Sequence, residues 1–487
     1  MKYKGTYFDM WDTWYLNDNG RVHGFHLKSH PGENWNIGHI YTDDLLNFKK
    51  MRDILETLPE EQYPDDCLGK FTGCAVKKDG KYYLFYTMRD RYHSQKIGLA
   101  ISEDAEHFEE YSGNPVLTPD ENIFIVRQKG ELTDCRDMHV VYDSKTSRYY
   151  GYFAAMADIE NRGEIGVVGV AESDDLIHWE NQQIVYIPDF NGIVEVPNVF
   201  ELNGKWYMTL LTGAWYGGKD ACSEKFLNCV TISAISDNPC GPFECTDDNI
   251  FLGGVTNSGY ACKSVEYNGK IYVMYIDRSE YGSAISLPKE IKQIGGDIKP
   301  CYTDILKKLH ISERNSFDFS ALSPAWAWKS ICAGSILAEN DTAKIKTLPR
   351  SLQAFKIDGV CVKSLEAEFI LSGDFKEAGF LLLCSDENEI WGQYAANEYY
   401  ISVNREENLL VLYGNRFEEL YRRKFDFAAK NSSHMRIIAM EGQLEVYIDD
   451  VLYMQCGIKT GKLISGGLWA FSGCAEFKNI KIYENEY

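Results

Sequence analysis

Three acidic residues stand in surroundings suited to chemistry: Asp12 in Met10-Trp-Asp-Thr-Trp-Tyr-Leu16, Asp137 in Asp134-Cys-Arg-Asp-Met-His139, and Glu195 in Ile193-Val-Glu-Val-Pro-Asn-Val-Phe200. An acid flanked by apolar residues at the start of a strand is desolvated, which raises its pKa as a general acid requires. Arg136 beside Asp137 favours the ionised carboxylate, the form that accepts hydrogen bonds from sugar hydroxyls in a transition state. Each acid alone has a plain structural reading: Asp12 as a strand-end turn residue, Arg136-Asp137 as an ion pair, Glu195 as a cap on a buried turn. Together they allow more. Acids from separate repeating units, gathered at one axis with two carboxyls roughly 5–5.5 Å apart, fit the retaining cleavage of a glycosidic bond.

A repeating unit that could gather them is present. Gly38-His-Ile-Tyr-Thr-Asp-Asp44-Leu-Leu-Asn-Phe48, Gly98-Leu-Ala-Ile-Ser-Glu-Asp104-Ala-Glu-His-Phe108 and Gly169-Val-Ala-Glu-Ser-Asp-Asp175-Leu-Ile-His-Trp179 each place Gly six residues before an Asp and an aromatic four residues after it. Weaker echoes follow at Ser233–Asp237 and Ser283–Pro288. Asp79-Gly80, Asn203-Gly204 and Asn268-Gly269 introduce the strand-like runs Lys81–Thr87, Lys205–Leu211 and Lys270–Tyr275, and Arg148–Phe153 holds the corresponding place in another unit. Turn signals, strands and recurrence predict an all-β chain opening with a five-bladed β-propeller over residues 1–300. Residues 301–340 read as an irregular, partly helical connecting segment. Strands return with a different rhythm over 341–487 and read as a C-terminal β-sandwich.

Composition narrows the partners. A net charge of −22 disfavours nucleic acid and anionic membrane surfaces, while a small neutral carbohydrate remains compatible. No run approaches the ~18 apolar residues needed to span a bilayer, and the N-terminus lacks the apolar core of a secretory signal, so no membrane association and a cytoplasmic location are expected. Fourteen Cys without CxxC pairs, among them Cys74, Cys229, Cys262 and Cys384, read as reduced core thiols. His23, His26, His30 and His39 straddle a turn without companion Cys or acids, so no metal and no organic cofactor is expected. His107 and His178 recur within the repeat and read as structural. Asp134 reads as a solvated turn residue. Oligomeric state is not written in the sequence, although the sandwich offers a surface for a homo-oligomer.

At these residues the chain resembles glycoside hydrolase family 32, the fructofuranosidases, and its relative family 68, the levansucrases. Trp11-Asp12-Thr13-Trp14 resembles the family 68 nucleophile segment, and Gly38-His39 with Asp44-Leu45 and Phe48 looks like the family 32 stretch that follows its own. Phe71-Thr72-Gly73-Cys74-Ala75 is similar to Phe-Ser-Gly-Ser-Ala, Arg136-Asp137 to the start of Arg-Asp-Pro, Glu195-Val196-Pro197 to Glu-Cys-Pro, and Ser286-Leu-Pro-Lys-Glu290 to Leu-Pro-Arg-Glu. The likeness covers residues 5–295, and the C-terminal sandwich also looks like that of family 32. It implies Asp12 as nucleophile, Asp137 as transition-state stabiliser and Glu195 as acid/base in cleavage of terminal β-fructofuranosyl bonds of sucrose or short fructo-oligosaccharides.

Trp11, Trp35, Phe71 and Trp215 then form an expected sugar-stacking rim, with Thr72 and Arg136 as polar substrate contacts. The chain also departs from the pattern. Asn-Asp-Pro-Asn-Gly is absent; Asn17-Asp18-Asn19-Gly20 is its nearest likeness, which makes Asp18 a competing nucleophile. Met138 and Val196 replace the usual Pro and Cys. Other readings are fructosyl transfer, an inverting arabinofuranosidase or xylosidase like family 43, and a carbohydrate-binding propeller without catalysis.

Overall fold

The computed structural model describes residues 4–5, 10–29, 34–61, 64–128, 131–214, 217, 229–253, 259–279, 282–322, 334–385, 397–427 and 430–485. The chain divides into two compact units, one of residues 1–278 with 282–300, the other of residues 279–281 with 301–487.

The first unit is a β-propeller. Four antiparallel four-stranded sheets follow one another along the chain, opening with strands Thr13–Asp18, Gly69–Lys78, Cys135–Asp143 and Glu195–Leu202. Beyond them Tyr260–Tyr267 pairs with Lys270–Ser279, which pairs with Lys289–Ile294, while Lys4–Gly5 pairs with Gly282–Ile285. The opening strands pack side by side in chain order, and Tyr260–Tyr267 packs against both Glu195–Leu202 and Thr13–Asp18.

The turn signals act as expected. Asn19-Gly20, Asp79-Gly80, Asn203-Gly204 and Asn268-Gly269 all take positive φ at both positions, the tight hairpin turn that matches strand twist. The recurring Gly/Asp/aromatic unit spans the third strand of a sheet and the loop to its fourth, and each conserved spacing has a cause. A Cβ at Gly38 would lie 2.6 Å from the His26 ring, and one at Gly98 2.6 Å from the Tyr86 ring, so glycine makes room for a bulky ring on the adjacent strand. Asp104 Oδ1 accepts from the Glu106 and His107 N–H groups, both at 2.8 Å, and Asp175 Oδ1 does the same for Ile177 and His178. His107 and His178 add ring contacts to the same carboxylates at 2.8 and 2.7 Å. The closing aromatic wedges onto the preceding sheet: Phe108 meets Phe25 edge-on at 6.0 Å, and Trp179 meets Phe85 at 5.6 Å.

The second unit is a sandwich-like arrangement built on two long antiparallel strands, Ser364–Ser385 and Leu463–Asn485. The first half of Ser364–Ser385 pairs with Ser432–Met440 and the second half with Asn397–Asn404. Between these halves sit Gly373 and, across the pair, Gly473, with φ +119° and +136°; a Cβ on either would lie 2.3 Å from a facing carbonyl oxygen. Phe369, Phe380, Phe477 and Trp469 fill the core. Part of the stretch the sequence leaves as a connecting segment is strand: His310–Arg314, Phe319–Leu322 and Gly334–Glu339 all pair within this unit. A short 3₁₀ turn, Asp304–Leu309, is its helical part.

Candidate functional site

Four opening strands carry a β-bulge near their first residues, between Phe71 and Cys74, Arg136 and His139, Glu195 and Asn198, and Tyr260 and Lys263. A bulge inserts an unpaired residue, bends the strand and re-aims its side chains. Asp137, Val196 and Ala261 take φ of 62°, 50° and 51° there. Gly73 occupies the second-sheet bulge because a Cβ would come within 1.9 Å of the Phe85 carbonyl oxygen.

These bulges link the three predicted acids. Asp12 is held by backbone pairing, its carbonyl accepting from Leu27 N–H at 3.0 Å, and its Oδ2 receives the Thr72 hydroxyl in a short hydrogen bond. Thr87 bridges the second and third sheets: its hydroxyl donates to the Thr72 carbonyl at 2.8 Å and accepts the Asp137 N–H at 2.9 Å. Asp137 Oδ2 accepts the Val196 N–H at 3.0 Å, which fixes it to the residue after Glu195. Arg136 lies between them, 3.1 Å from Glu195 Oε1 and 3.7 Å from Asp137 Oδ2. One polar chain thus runs from Asp12 through Thr72, Thr87, Asp137 and Arg136 to Glu195.

Burial pushes the Asp137 carboxyl above the usual carboxylate range. Arg136 and the Val196 N–H pull it down, and the neighbouring Glu195 carboxyl adds to the rise. Arg136 thus favours the ionised carboxylate, as its place in the sequence suggests, but desolvation of a carboxyl only 5% exposed outweighs the guanidinium. Asp134 needs correcting. It is no solvated turn residue but a partly buried ion-pair partner of Arg136, which is thus shared among three carboxylates.

An aromatic rim adjoins the acids. Trp11 meets Trp35 and Tyr260 edge-on at 5.6 and 5.7 Å, and Trp35 lies 6.3 Å from Phe71. Trp11, Trp35 and Phe71 are thus brought together, whereas Trp215 lies outside the described residues. Thr72, expected to meet a sugar hydroxyl, turns its own hydroxyl to Asp12.

The profile of the Glycosyl hydrolases family 32 N-terminal domain matches residues 13–282, more than half the chain and beginning directly after Asp12. The chain belongs to glycosyl hydrolase family 32. It is 27% identical over 191 residues to a probable sucrose-6-phosphate hydrolase of Psychromonas ingrahamii, a stretch covering 37% of this chain and 31% of that protein. A xylosidase/arabinosidase of Bacteroides ovatus is 26% identical over 277 residues, covering 54% of this chain and 77% of that protein. In fold, the chain matches a family 32 β-fructofuranosidase of Bombyx mori, solved as a mutant in complex with sucrose, with TM-score 0.66 and 18% identity over 98% of this chain and 91% of that one.

Several features of this family 32 chain escape sequence reasoning. Asp18, the competing nucleophile, lies at the far end of Thr13–Asp18, roughly 20 Å along the strand from Asp12. There it pairs with Lys77 at 2.6 Å and accepts the Tyr82 hydroxyl at 2.5 Å. Lys70 and Asp66, both fully buried, pair at 2.7 Å, with Glu110 at 3.1 Å from the same ammonium. Arg89 lays its guanidinium over Phe71 at 5.3 Å, and burial, with a smaller contribution from the like charge of Arg136, lowers its pKa. Lys263 reaches the bulge after Glu195 from the next opening strand.

His23, His26 and His39 lie buried in the first sheet, and burial holds His26 down to about 4 and His39 down to about 3. His30 lies outside the described residues. Among the described residues no group of His, Cys, Asp and Glu is arranged to hold a metal, and no helix is long and apolar enough to cross a membrane.

Proposed function

We propose that this chain is a retaining β-fructofuranosidase acting on sucrose or short fructo-oligosaccharides, with its site on a five-bladed propeller. The observation that carries this reading is the continuous polar chain joining Asp12, Asp137 and Glu195 across the bulges of successive opening strands. In the reaction, Glu195 protonates the leaving oxygen as Asp12 attacks the anomeric carbon, so the glycosidic C–O bond breaks and a fructosyl–Asp12 ester forms. Water, deprotonated by Glu195, then adds to the same carbon and releases Asp12 with β-fructose. Asp137 accepts hydrogen bonds from the ring hydroxyls, most strongly as positive charge develops. The fifth blade is proposed to consist of the strands from Tyr260 to Ile294 with Lys4–Gly5, supported by the packing of Tyr260–Tyr267 between Glu195–Leu202 and Thr13–Asp18.

A sugar panel on wild type beside Glu195→Gln and Asp12→Asn tests this. A fall of ~10³-fold or more is expected in each variant. An unchanged rate in either removes that residue from the mechanism. The relation to a xylosidase/arabinosidase supports a second reading, an inverting pentosidase. Xylosides and arabinosides belong in the panel, and the anomer of the first product read by NMR separates retention from inversion.

Arg89 favours a further variant of the first reading, in which the leaving sugar carries a phosphate. Its guanidinium has no carboxylate in ion-pair range among the described residues, and it lies beside Arg136 at the aromatic rim. If so, Arg89→Gln lowers kcat/KM for sucrose 6-phosphate by ~10-fold or more while leaving sucrose within about twofold.

A further inference from the structure

A lysine is buried against the segment that carries Glu195. Lys263 sits at the bulge of Tyr260–Tyr267 and is 1% exposed. Its ammonium donates to the Pro197 carbonyl at 2.8 Å, two residues beyond Glu195. Among the described residues it has no carboxylate within ion-pair distance. An ammonium buried without a salt-bridge partner is expensive, and such groups persist where their charge is used at longer range. The groups facing it come from every neighbouring opening strand: Cys74 from the second sheet, Asp137 and His139 from the third, the Pro197 carbonyl from the fourth, Asp12 ahead of the first, and Cys262 beside it.

The alternatives among these neighbours point one way. Cys74 and Cys262 are buried thiols whose pKa is pushed up to about 12 by burial, so they are neutral and leave the ammonium unmatched. His139 is held neutral by burial and by Lys263 itself, and its Nε2 is tied to the Val199 carbonyl at 3.0 Å. The groups of opposite charge that Lys263 senses at the site are Asp12 and Asp137. Arg136 is already shared among Asp134, Asp137 and Glu195.

We infer that Lys263 is a positioning residue for the reaction: its ammonium ties down the Glu195–Val196–Pro197 bulge and supplies the positive potential that lets Asp12 and Asp137 be negative together. This rests on the assignment of Asp12, Asp137 and Glu195 as the reacting acids. Burial pulls Lys263 itself down to about 8, so its charge is full well below that pH and is lost as pH rises through it.

The test uses the full chain and two variants, Lys263→Met, which removes charge and tether, and Lys263→Gln, which removes charge but keeps an N–H donor. The readout is the pH profile of kcat/KM on whichever fructoside the wild type cleaves best. Both variants are expected to lose ~10–100-fold at the plateau, and the acid limb is expected to move upward by about one pH unit in both, because ionising the carboxylates becomes harder without the nearby cation. An acid limb left at its wild-type position in either variant overturns the proposal. Lys263→Gln, which keeps a donor for the Pro197 carbonyl, should leave the thermal midpoint near wild type; if neither variant folds, Lys263 is a structural requirement and the proposal is overturned. If Glu195→Gln and Asp12→Asn keep full activity, the acid assignment has failed instead, and the two failures are told apart by that pair alone.

Discussion

Thr87 offers the sharpest test of the polar chain, because it touches no acid side chain yet ties two sheets together. Its hydroxyl joins the Thr72 carbonyl and the Asp137 N–H at 2.8 and 2.9 Å, and Thr87 is fully buried. Thr87→Val keeps the shape and removes both bonds. The Asp137 N–H is then buried without an acceptor, which costs about 1–3 kcal/mol. The bulge it belongs to also loses its anchor in the second sheet. A displacement of about 1 Å in a positioned catalytic group lowers rate by roughly 10²-fold, so kcat/KM should fall by about 10–100-fold. Thr87→Ser keeps an oxygen in place and should stay within about threefold of wild type. Initial-rate kinetics on sucrose, with thermal unfolding followed in parallel, give both numbers. Full activity in Thr87→Val would refute the reasoning, as would an equal loss in the serine variant.

Other outcomes follow from the same geometry. Gly73→Ala forces a Cβ to within 1.9 Å of the Phe85 carbonyl, so the second-sheet bulge must rearrange; a large drop in thermal midpoint or loss of soluble protein is expected, and wild-type stability would count against the bulge. Lys70→Met leaves Asp66 buried beside Glu110 without its cation and should destabilise by ~3–5 kcal/mol, most of which Lys70→Met combined with Asp66→Asn should restore, as read by thermal unfolding. His26 is held at about 4 by burial, below its ordinary ~6.5, so below that pH the unfolded chain takes up the proton first. The stability present at neutral pH is thus lost as pH falls toward 4, by about 2 kcal/mol at pH 5. A His26→Gln variant should show a smaller drop in thermal midpoint between pH 7 and pH 5, and identical drops would exclude His26 as the cause.

What could be seen in the sequence was whatever chemistry leaves a local signature. Asp104 and Asp175 were visible because a loop-capping carboxylate must sit at a fixed offset from the N–H groups it receives, and Asn203-Gly204 because only such pairs accept positive φ twice. Arg136 and Glu195 stood out through their neighbours. The bulges were hidden, since an extra residue in a strand changes pairing without changing composition. Asp134 looked like turn polarity because its partner Arg136 is defined by side-chain direction. Lys263 resembled any strand lysine; what marks it is burial among residues from other sheets, which no short window contains. Asp18 stands close to Asp12 in the sequence, yet an extended strand sets the two at opposite ends of one segment.

The equivalent kinks near the starts of four strands do two different jobs. Two hold Thr72 and Asp137, while Val196 and Ala261 fill the others with inert side chains. Both are sealed, 3% and 0% exposed in one apolar cluster against which Trp11 packs, so a polar side chain at either is expected to lower stability. The same local distortion thus serves polar connection in two sheets and apolar closure in the other two.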